Sequence, residues 1–226
     1  MNAKSQSETV LWREGGTPVS ALFDDPYFSL VDGLAETRHV FLAGNDLPAR
    51  FRAGFHVAEL GFGTGLNLLA TMVEWERAGI AGGMRFTSFE AYPMPASDMA
   101  RALSAFPELA GPAALLVAEW GRGARRFTLG PVEVEIIEGD ARQTLPGWPG
   151  HADAWYLDGF APARNPELWS PDLMREVARH TAPGGSFATY TAAGFVRRAL
   201  QDAGFQVERI KGHGTKRHMS RGRMPG

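Results

Sequence analysis

The stretch VAELGFGTGLNLL, Val57 to Leu69, restricts the fold more than any other part of the chain. A short apolar run carries one acid, Glu59, and ends at Leu60. Gly61, Gly63 and Gly65 follow at alternate positions, and an apolar run of helical spacing begins at Leu66. A strand that turns sharply into a helix needs backbone conformations that glycine adopts cheaply, and the bare backbone lets another group come close. The helix start supplies unpaired N–H groups and a partial positive charge, which suit an anionic or polar ligand. A purely structural strand-to-helix turn satisfies the same pattern.

From Phe55 onward, strand and helix signals alternate. FHVAEL, RFTSFE, VEVEIIEGD, ADAWYLD and SFATYT read as strands, with RRFTL as a candidate partner of the third. Helices are expected over Leu66–Ala78, Ala96–Phe106, Pro171–His180 and Gly194–Ala203. FQVERIKG and TKRHMS close the chain as a hairpin. Such alternation predicts an α/β fold, a mostly parallel sheet with helices on both faces. Ligands in such sheets bind beyond the carboxyl ends of the strands. Ahead of this unit, TVLWREGGTPVSALF reads as two short strands around a Gly-Gly turn, DDPYFS as a turn and Gly33–Leu42 as a helix. The expected division is therefore an N-terminal extension, 1–54, and a main domain, 55–226.

The remaining totals exclude several classes. The 226 residues hold no cysteine, which rules out disulfides and thiolate metal sites and fits a reducing, cytoplasmic location. No apolar run is long enough for a transmembrane helix, and the polar start lacks the apolar core of a secretion signal. The formal charge of −2 predicts no strong global attraction to nucleic acid. Residues 209–226 nevertheless carry six Lys/Arg and no Asp/Glu. No metal cluster of convincing spacing is present, and His213 and His218 read as surface or backbone-bonded histidines.

The glycine spacing discriminates among nucleotide-type loops. A phosphate loop needs Lys and then Ser/Thr after the last glycine, where Leu66 and Asn67 stand. A dinucleotide fingerprint counted from Gly61 needs glycine at position 66 and meets Leu66. The acid–x–G–x–G–x–G spacing resembles the loop of S-adenosylmethionine-dependent methyltransferases. On that resemblance Glu59, Gly61, Phe62, Gly63, Gly65 and Asn67 are candidate cofactor residues, with Glu59 meeting an ammonium or holding the loop. Glu90, ending the second strand, can accept from two ribose hydroxyls. Asp140, ending the third, can accept from an adenine amino group with the Ala141 N–H nearby. Each acid alone also reads as a strand-end residue or a helix cap. Asp158 follows the fourth strand in WYLDGFAPARNPELW and is the catalytic candidate. In amino-group methyltransferases this place carries Asp or Asn before a proline-containing turn. Here the turn is DGFAP, a match in position and type rather than in letters.

FDDPYFS, GLAETRHVFL, ELGFGTGLN, SFEAYP, WYLDGFAPARNPELW, ATYTAAGFVRRALQDAGF and KGHGTKRHM, in that order, resemble the methyltransferase part of the bacterial bifunctional tRNA 5-methylaminomethyl-2-thiouridine biosynthesis family. The resemblance runs from about residue 9 to 219. It implies a class I, Rossmann-like methyltransferase with a mostly parallel seven-stranded sheet and a small N-terminal extension. It implies S-adenosylmethionine as methyl donor and the amine of 5-aminomethyl-(2-thio)uridine, at the wobble position of tRNA, as acceptor. The family's FAD-dependent oxidoreductase part has no counterpart in these residues, so no FAD is expected in this chain and the aminomethyl group is expected from another enzyme or another route. Asp158 then orients the amine and receives its proton, with orientation favoured because an ordinary aspartate pKa is far from that of an ammonium. Phe160 and Tyr92 are candidates for stacking on a base, and Tyr27 with Asp24, Asp25 and Phe28 for roofing the site; all can equally be core packing. Arg197, Arg198, Lys211, Lys216, Arg217, Arg221 and Arg223 are candidate phosphate contacts for the anticodon loop, as are Arg122, Arg125 and Arg126. An ordinary solvated basic face explains each cluster as well. A small-molecule amine methyltransferase and a noncatalytic RNA-binding or cofactor-sensing module are the competing functions.

Overall fold

A computed structural model describes residues 9–13, 16–29 and 32–226. The N-terminal strands β1 (Val10–Trp12), β2 (Pro18–Ser20) and β3 (Asp25–Pro26) form a small antiparallel sheet. The predicted Gly-Gly turn lies partly outside the described residues. The predicted helix over 33–42 is two pieces. Helix α1 (Gly33–Thr37) is capped by Asp32, whose side chain accepts from the Ala35 N–H at 2.9 Å, and continues as a wider π turn over Arg38–Leu42. A left-handed Asp46, φ 56°, ends the segment at the predicted GND break.

The main unit begins with β4 (His56–Leu60) and α2 (Leu66–Ala78). It continues with β5 (Met84–Glu90), α3 (Ala96–Leu103), α4 (Ala110–Gly121), β6 (Arg126–Leu129) and β7 (Val132–Glu138). Then come α5 (Ala141–Thr144), β8 (Ala152–Leu157), α6 (Pro171–Arg179), β9 (Thr181–Thr189) and α7 (Gly194–Asp202), before the hairpin β10 (Gln206–Lys211) and β11 (His218–Arg223). The sheet order is β10-β11-β9-β8-β4-β5-β7-β6. Among the described residues the sheet has eight strands rather than the expected seven. The additional strand is β6, which pairs antiparallel with β7 and uses the RRFTL segment. The pairs β9-β8, β8-β4, β4-β5 and β5-β7 are parallel, so their carboxyl ends lie on one edge. Helix α4 is not among the helices expected from the sequence. Pro112 lies in the first turn, where a missing N–H costs no helical hydrogen bond.

The central strands are buried on both faces, and alternate residues feed two cores. Val57, Phe86, Ala154 and Tyr156 pack with α2, α3 and α4. Ala58, Leu60, Phe89, Trp155 and Leu157 pack with α5, α6 and α7. Residues Leu34, Val40, Phe41, Leu42, Leu47 and Phe51 of the N-terminal segment belong to the first of these cores. A polar clasp fixes the same segment. The buried Asn45 amide donates to the carbonyls of Phe41, at 2.9 Å, and Trp155, at 3.3 Å, and accepts from Ser186 Oγ at 2.6 Å. Arg50 adds donors to the carbonyls of Asn45, Asp153 and Gly184. Asn45→Ala leaves buried partners unpaired and is expected to destabilise the chain by about 1–3 kcal/mol, read from the midpoint of urea unfolding at unchanged slope.

Candidate functional site

The parallel register aligns the strand tips. Leu60 pairs with both Phe89 and Leu157, and Glu90 pairs with Glu138. The chain leaves each tip into one cavity of about 830 Å³. Gly61, Phe62, Gly63 and Asn67 line it from the first tip, Glu90 and Tyr92 from the second, and Asp140 and Ala141 from the third. Asp158 and Phe160 line it from the fourth, with Tyr27 from the N-terminal segment and Lys216 from the C-terminal hairpin. Glu59 and Gly65 stand behind its wall, and Arg197 and Arg217 outside it.

The glycines are required for specific contacts. Gly61 has φ 87°, and a Cβ there would lie 2.2 Å from the Asp158 carbonyl oxygen. Gly65 caps α2 at φ 77°, where a Cβ would meet Leu116 of α4 at 2.6 Å. Their bareness therefore serves protein packing first. Gly63, φ 51°, donates its N–H to Glu90 Oε2 at 2.9 Å, while Glu90 Oε1 accepts from the Tyr92 N–H at 2.7 Å. Glu90 thereby holds the glycine loop to the second strand tip. The α2 N-terminus has neither a side-chain cap nor an acid in its first turn, so its partial positive charge is available at the cavity. Phe62 turns its ring into the core against Trp120, at 5.1 Å between centroids.

Asn67 is the hub of the site. Its buried amide donates to Glu59 Oε1 at 2.8 Å and to Asp158 Oδ2 at 2.7 Å, and its oxygen accepts from Thr37 Oγ1 at 2.9 Å. Glu59 is fully buried and also accepts from Ser88 Oγ at 2.7 Å. Burial, reinforced by the nearby Asp158, pushes the Glu59 carboxyl well above the ordinary range. Glu59 thus holds Asn67 from inside rather than facing the cavity. Asp158 is pushed up to about 7, chiefly by desolvation; the Asn67 hydrogen bond and Lys216 oppose the shift, and Glu36 adds to it. The ordinary aspartate pKa assumed from sequence is corrected by this burial. Asp140 caps α5 and is bonded to both the backbone and the guanidinium of Arg142, which holds its pKa low.

A roof crosses the cavity. Asp25 Oδ2 accepts from the Ala161 N–H at 2.7 Å, tying the DDPYF turn to the loop after Asp158. Phe160 stacks on Phe23 at 4.7 Å and meets Tyr27 edge-on at 5.2 Å, with Tyr92 5.7 Å from Phe23. Asp24 pairs with Arg164. Tyr190 was missed from sequence, although it stands directly beyond the fifth strand tip. Its hydroxyl donates to the Gly159 carbonyl at 2.6 Å. Glu36 and Thr37 were missed because nothing local distinguishes them.

Much of the expected basic footprint is internally neutralised. Arg122, Arg125 and Arg126 pair with Glu119, Glu138 and Glu135. Arg221 pairs with Asp46 and Glu208, and Arg223 with Asp46. Among the described residues Lys211 and Arg217 are exposed and have no carboxylate partner. No group of three or more potential metal ligands occurs among the described residues, and no helix there is long and apolar enough to cross a membrane.

Comparison with known proteins agrees with this geometry. Residues 107–225 match a family described as S-adenosyl-L-methionine-dependent methyltransferase. The chain is 46% identical over 222 residues to the tRNA 5-methylaminomethyl-2-thiouridine biosynthesis bifunctional protein MnmC of Aeromonas salmonicida, covering 91% of this chain and 33% of that protein. It is 46% identical to the protein of that name from a Caulobacter species, covering 96% and 38%. The chain therefore spans about a third of the length of these relatives, aligned to their methyltransferase part. Among solved structures it superposes on MNMC2 from Aquifex aeolicus with a TM-score of 0.76 at 22% identity, covering 100% of this chain and 74% of that one. Spermidine synthase from Thermotoga maritima shares the fold, with a TM-score of 0.58 at 11% identity over 96% and 68%.

Two substitutions check the site geometry. Gly61→Ala forces a Cβ onto the Asp158 carbonyl and is expected to cost about 2 kcal/mol or more by urea unfolding. Asn67→Ala removes a hydrogen bond that favours the charged carboxylate, so carbon-13 NMR titration should find the Asp158 pKa above its wild-type value.

Proposed function

The chain belongs to the S-adenosyl-L-methionine-dependent methyltransferases, and on that premise we propose that it methylates the amine of 5-aminomethyl-(2-thio)uridine at the tRNA wobble position. The product is 5-methylaminomethyl-(2-thio)uridine. The observation that carries this reading is Asp158, a carboxyl at the β8 tip inside the cavity with a pKa near 7. The relatives, named for tRNA 5-methylaminomethyl-2-thiouridine biosynthesis, suggest the acceptor.

The cavity fits the methyl donor. Its volume suits a cofactor-sized ligand, and it combines the glycine loop, two strand-tip acids and the uncapped α2 start with apolar walls. Glu90, Asp140 and the backbone of Gly61, Gly63 and Ala141 are the residues we assign to holding it. When bound, S-adenosylmethionine supplies an electrophilic methyl group on a sulfonium, which needs no acid from the protein. The residues of this chain have two tasks: to place the acceptor nitrogen and to take a proton from it. The acceptor arrives as an alkylammonium. The Asp158 carboxylate accepts a hydrogen bond from it and takes one proton, leaving a neutral amine with its lone pair held in place. The methylated nitrogen carries the positive charge afterwards, and the Asp158 proton passes to solvent. Phe160 and Tyr92 are the stacking surfaces for the extruded base. We assign 1–54 as an extension, whose residues Phe23, Asp25 and Tyr27 roof the site, and 55–226 as the catalytic unit. Cytoplasmic tRNA is the substrate in this reading, and its aminomethyl group is already in place before the methyl transfer.

A small-molecule amine is the second reading, favoured by the arginines already paired to carboxylates. Incubation with labelled S-adenosylmethionine and tRNA bearing aminomethyluridine, followed by nucleoside mass spectrometry, separates the two. Labelled 5-methylaminomethyl nucleoside is expected, and its absence with properly modified tRNA defeats the reading. For tRNA, kcat/KM should fall steeply with salt and on Arg217→Glu; for a small amine both should matter little.

The ionisation of Asp158 sets a pH dependence. A carboxylate must be present to accept the proton, so activity should rise with pH up to about 7 and level off above it. Asp158→Asn keeps an oxygen acceptor but takes no proton, and should lower kcat by about 10²- to 10⁴-fold while leaving cofactor affinity nearly unchanged.

A further inference from the structure

Lys216 lies between β10 and β11, and its ammonium has two partners within the protein. Nζ donates to Glu36 Oε1 at 2.6 Å and stands 4.2 Å from the centroid of the Tyr190 ring. Glu36, Tyr190 and Lys216 all line the cavity that holds Asp158. The two partners of the ammonium are fixed. Glu36 belongs to α1, and its backbone N–H bonds to the carbonyl of the capping Asp32 at 3.0 Å. Tyr190 is pinned by its hydroxyl to the carbonyl of Gly159, the residue after Asp158. Lys216 itself comes from the loop that joins two strands, on a long flexible stem.

An ordinary surface ion pair is exposed on both sides and contributes little. This pair is asymmetric: the Glu36 side chain is 13% exposed and that of Lys216 43%. A shielded carboxylate beside an aromatic face is the chemistry that recognises a small organic cation. The arrangement also communicates with the reacting end of the cavity, since Glu36 raises the Asp158 pKa and Lys216 lowers it.

We propose that Glu36 and the Tyr190 ring form a receptor for the substrate's primary ammonium, and that Lys216 fills it as an internal stand-in until substrate arrives. This rests on the reading that the acceptor is an alkylamine. Two ammonium groups cannot share one carboxylate and one ring face, so substrate entry swings Lys216 outward, toward its exposed side. The incoming nitrogen is then held beside the carboxylate that takes its proton. The receptor also selects. A nitrogen that carried a carboxymethyl group would bring a carboxylate against Glu36 and Asp158, and would be rejected by like-charge repulsion.

Titration with methylammonium chloride, against sodium chloride at equal ionic strength and followed by amide NMR shifts around Glu36 and Tyr190, tests the receptor without tRNA or cofactor. Lys216→Met removes the tethered competitor and should bind methylammonium at least about 10-fold more tightly than the wild type. Lys216→Ala should behave likewise, which separates loss of charge from any packing effect of methionine. Adding Glu36→Gln to either variant should abolish the gain. Equal affinity in wild type and both lysine variants, or a gain that survives Glu36→Gln, overturns the proposal. The methyl-transfer assay on wild-type protein stands apart: activity without the gain defeats the receptor alone, and the gain without activity defeats the alkylamine reading alone.

Discussion

Three separate parts of the chain meet at one amide. Asn67, in the first turn of α2, bonds through its side chain to Glu59, Asp158 and Thr37. Each partner comes from a different place: the first strand, the fourth strand tip and the N-terminal helix. A primary amide suits the task because it offers two donors and one acceptor in a fixed plane. The donors face carboxyls and the acceptor faces a hydroxyl, so the polarity of the cluster is determined. The unusual pKa values follow from the same arrangement. Glu59 and Asp158 are close, Glu59 fully buried and Asp158 half-buried at the cavity wall, and the amide between them offsets part of the desolvation cost.

Around this cluster the fold works as a positioning device. The parallel strands bring Leu60, Phe89 and Leu157 into register, and everything beyond those residues emerges on the same side. The Asn45 and Arg50 hydrogen bonds lock the N-terminal segment to β8 and β9. That lock lets α1 deliver Glu36 and Thr37 to the site from outside the alternating βα unit. The extension is thus continuous with the core on one side and with the cavity on the other.

The parts of this structure legible in the sequence were those governed by local rules. Alternating strand and helix signals located the parallel strands, and the glycine spacing located the turn at Gly61–Gly65. The acids at 90, 140 and 158 stood out because each ends a strand. What was not legible depends on contacts distant in sequence. Glu36 and Tyr190 meet only through the fold; Glu36 carries no local signature, and Tyr190 has only its place after a strand. Arginines at 125, 126, 221 and 223 are visible as positive charge, yet their carboxylate partners lie on neighbouring strands or, for Asp46, in the N-terminal segment. The raised pKa of Asp158 is a property of burial, which no residue name discloses. Helix α4, also missed, carries a proline that is harmless in a first turn.

The hydrogen bond from the Ala161 N–H to Asp25 has a consequence beyond the cover itself. Phe160, one residue earlier, stacks on Phe23, two residues before Asp25. The covering aromatics and the loop that carries Asp158 therefore shift as one body. A bulky guest cannot slip beneath the cover while the acidic group keeps its working pose. Cover and acid thus share one anchor, so a substitution that breaks the Asp25 bond disturbs the seat of Asp158 as well as the lining above it.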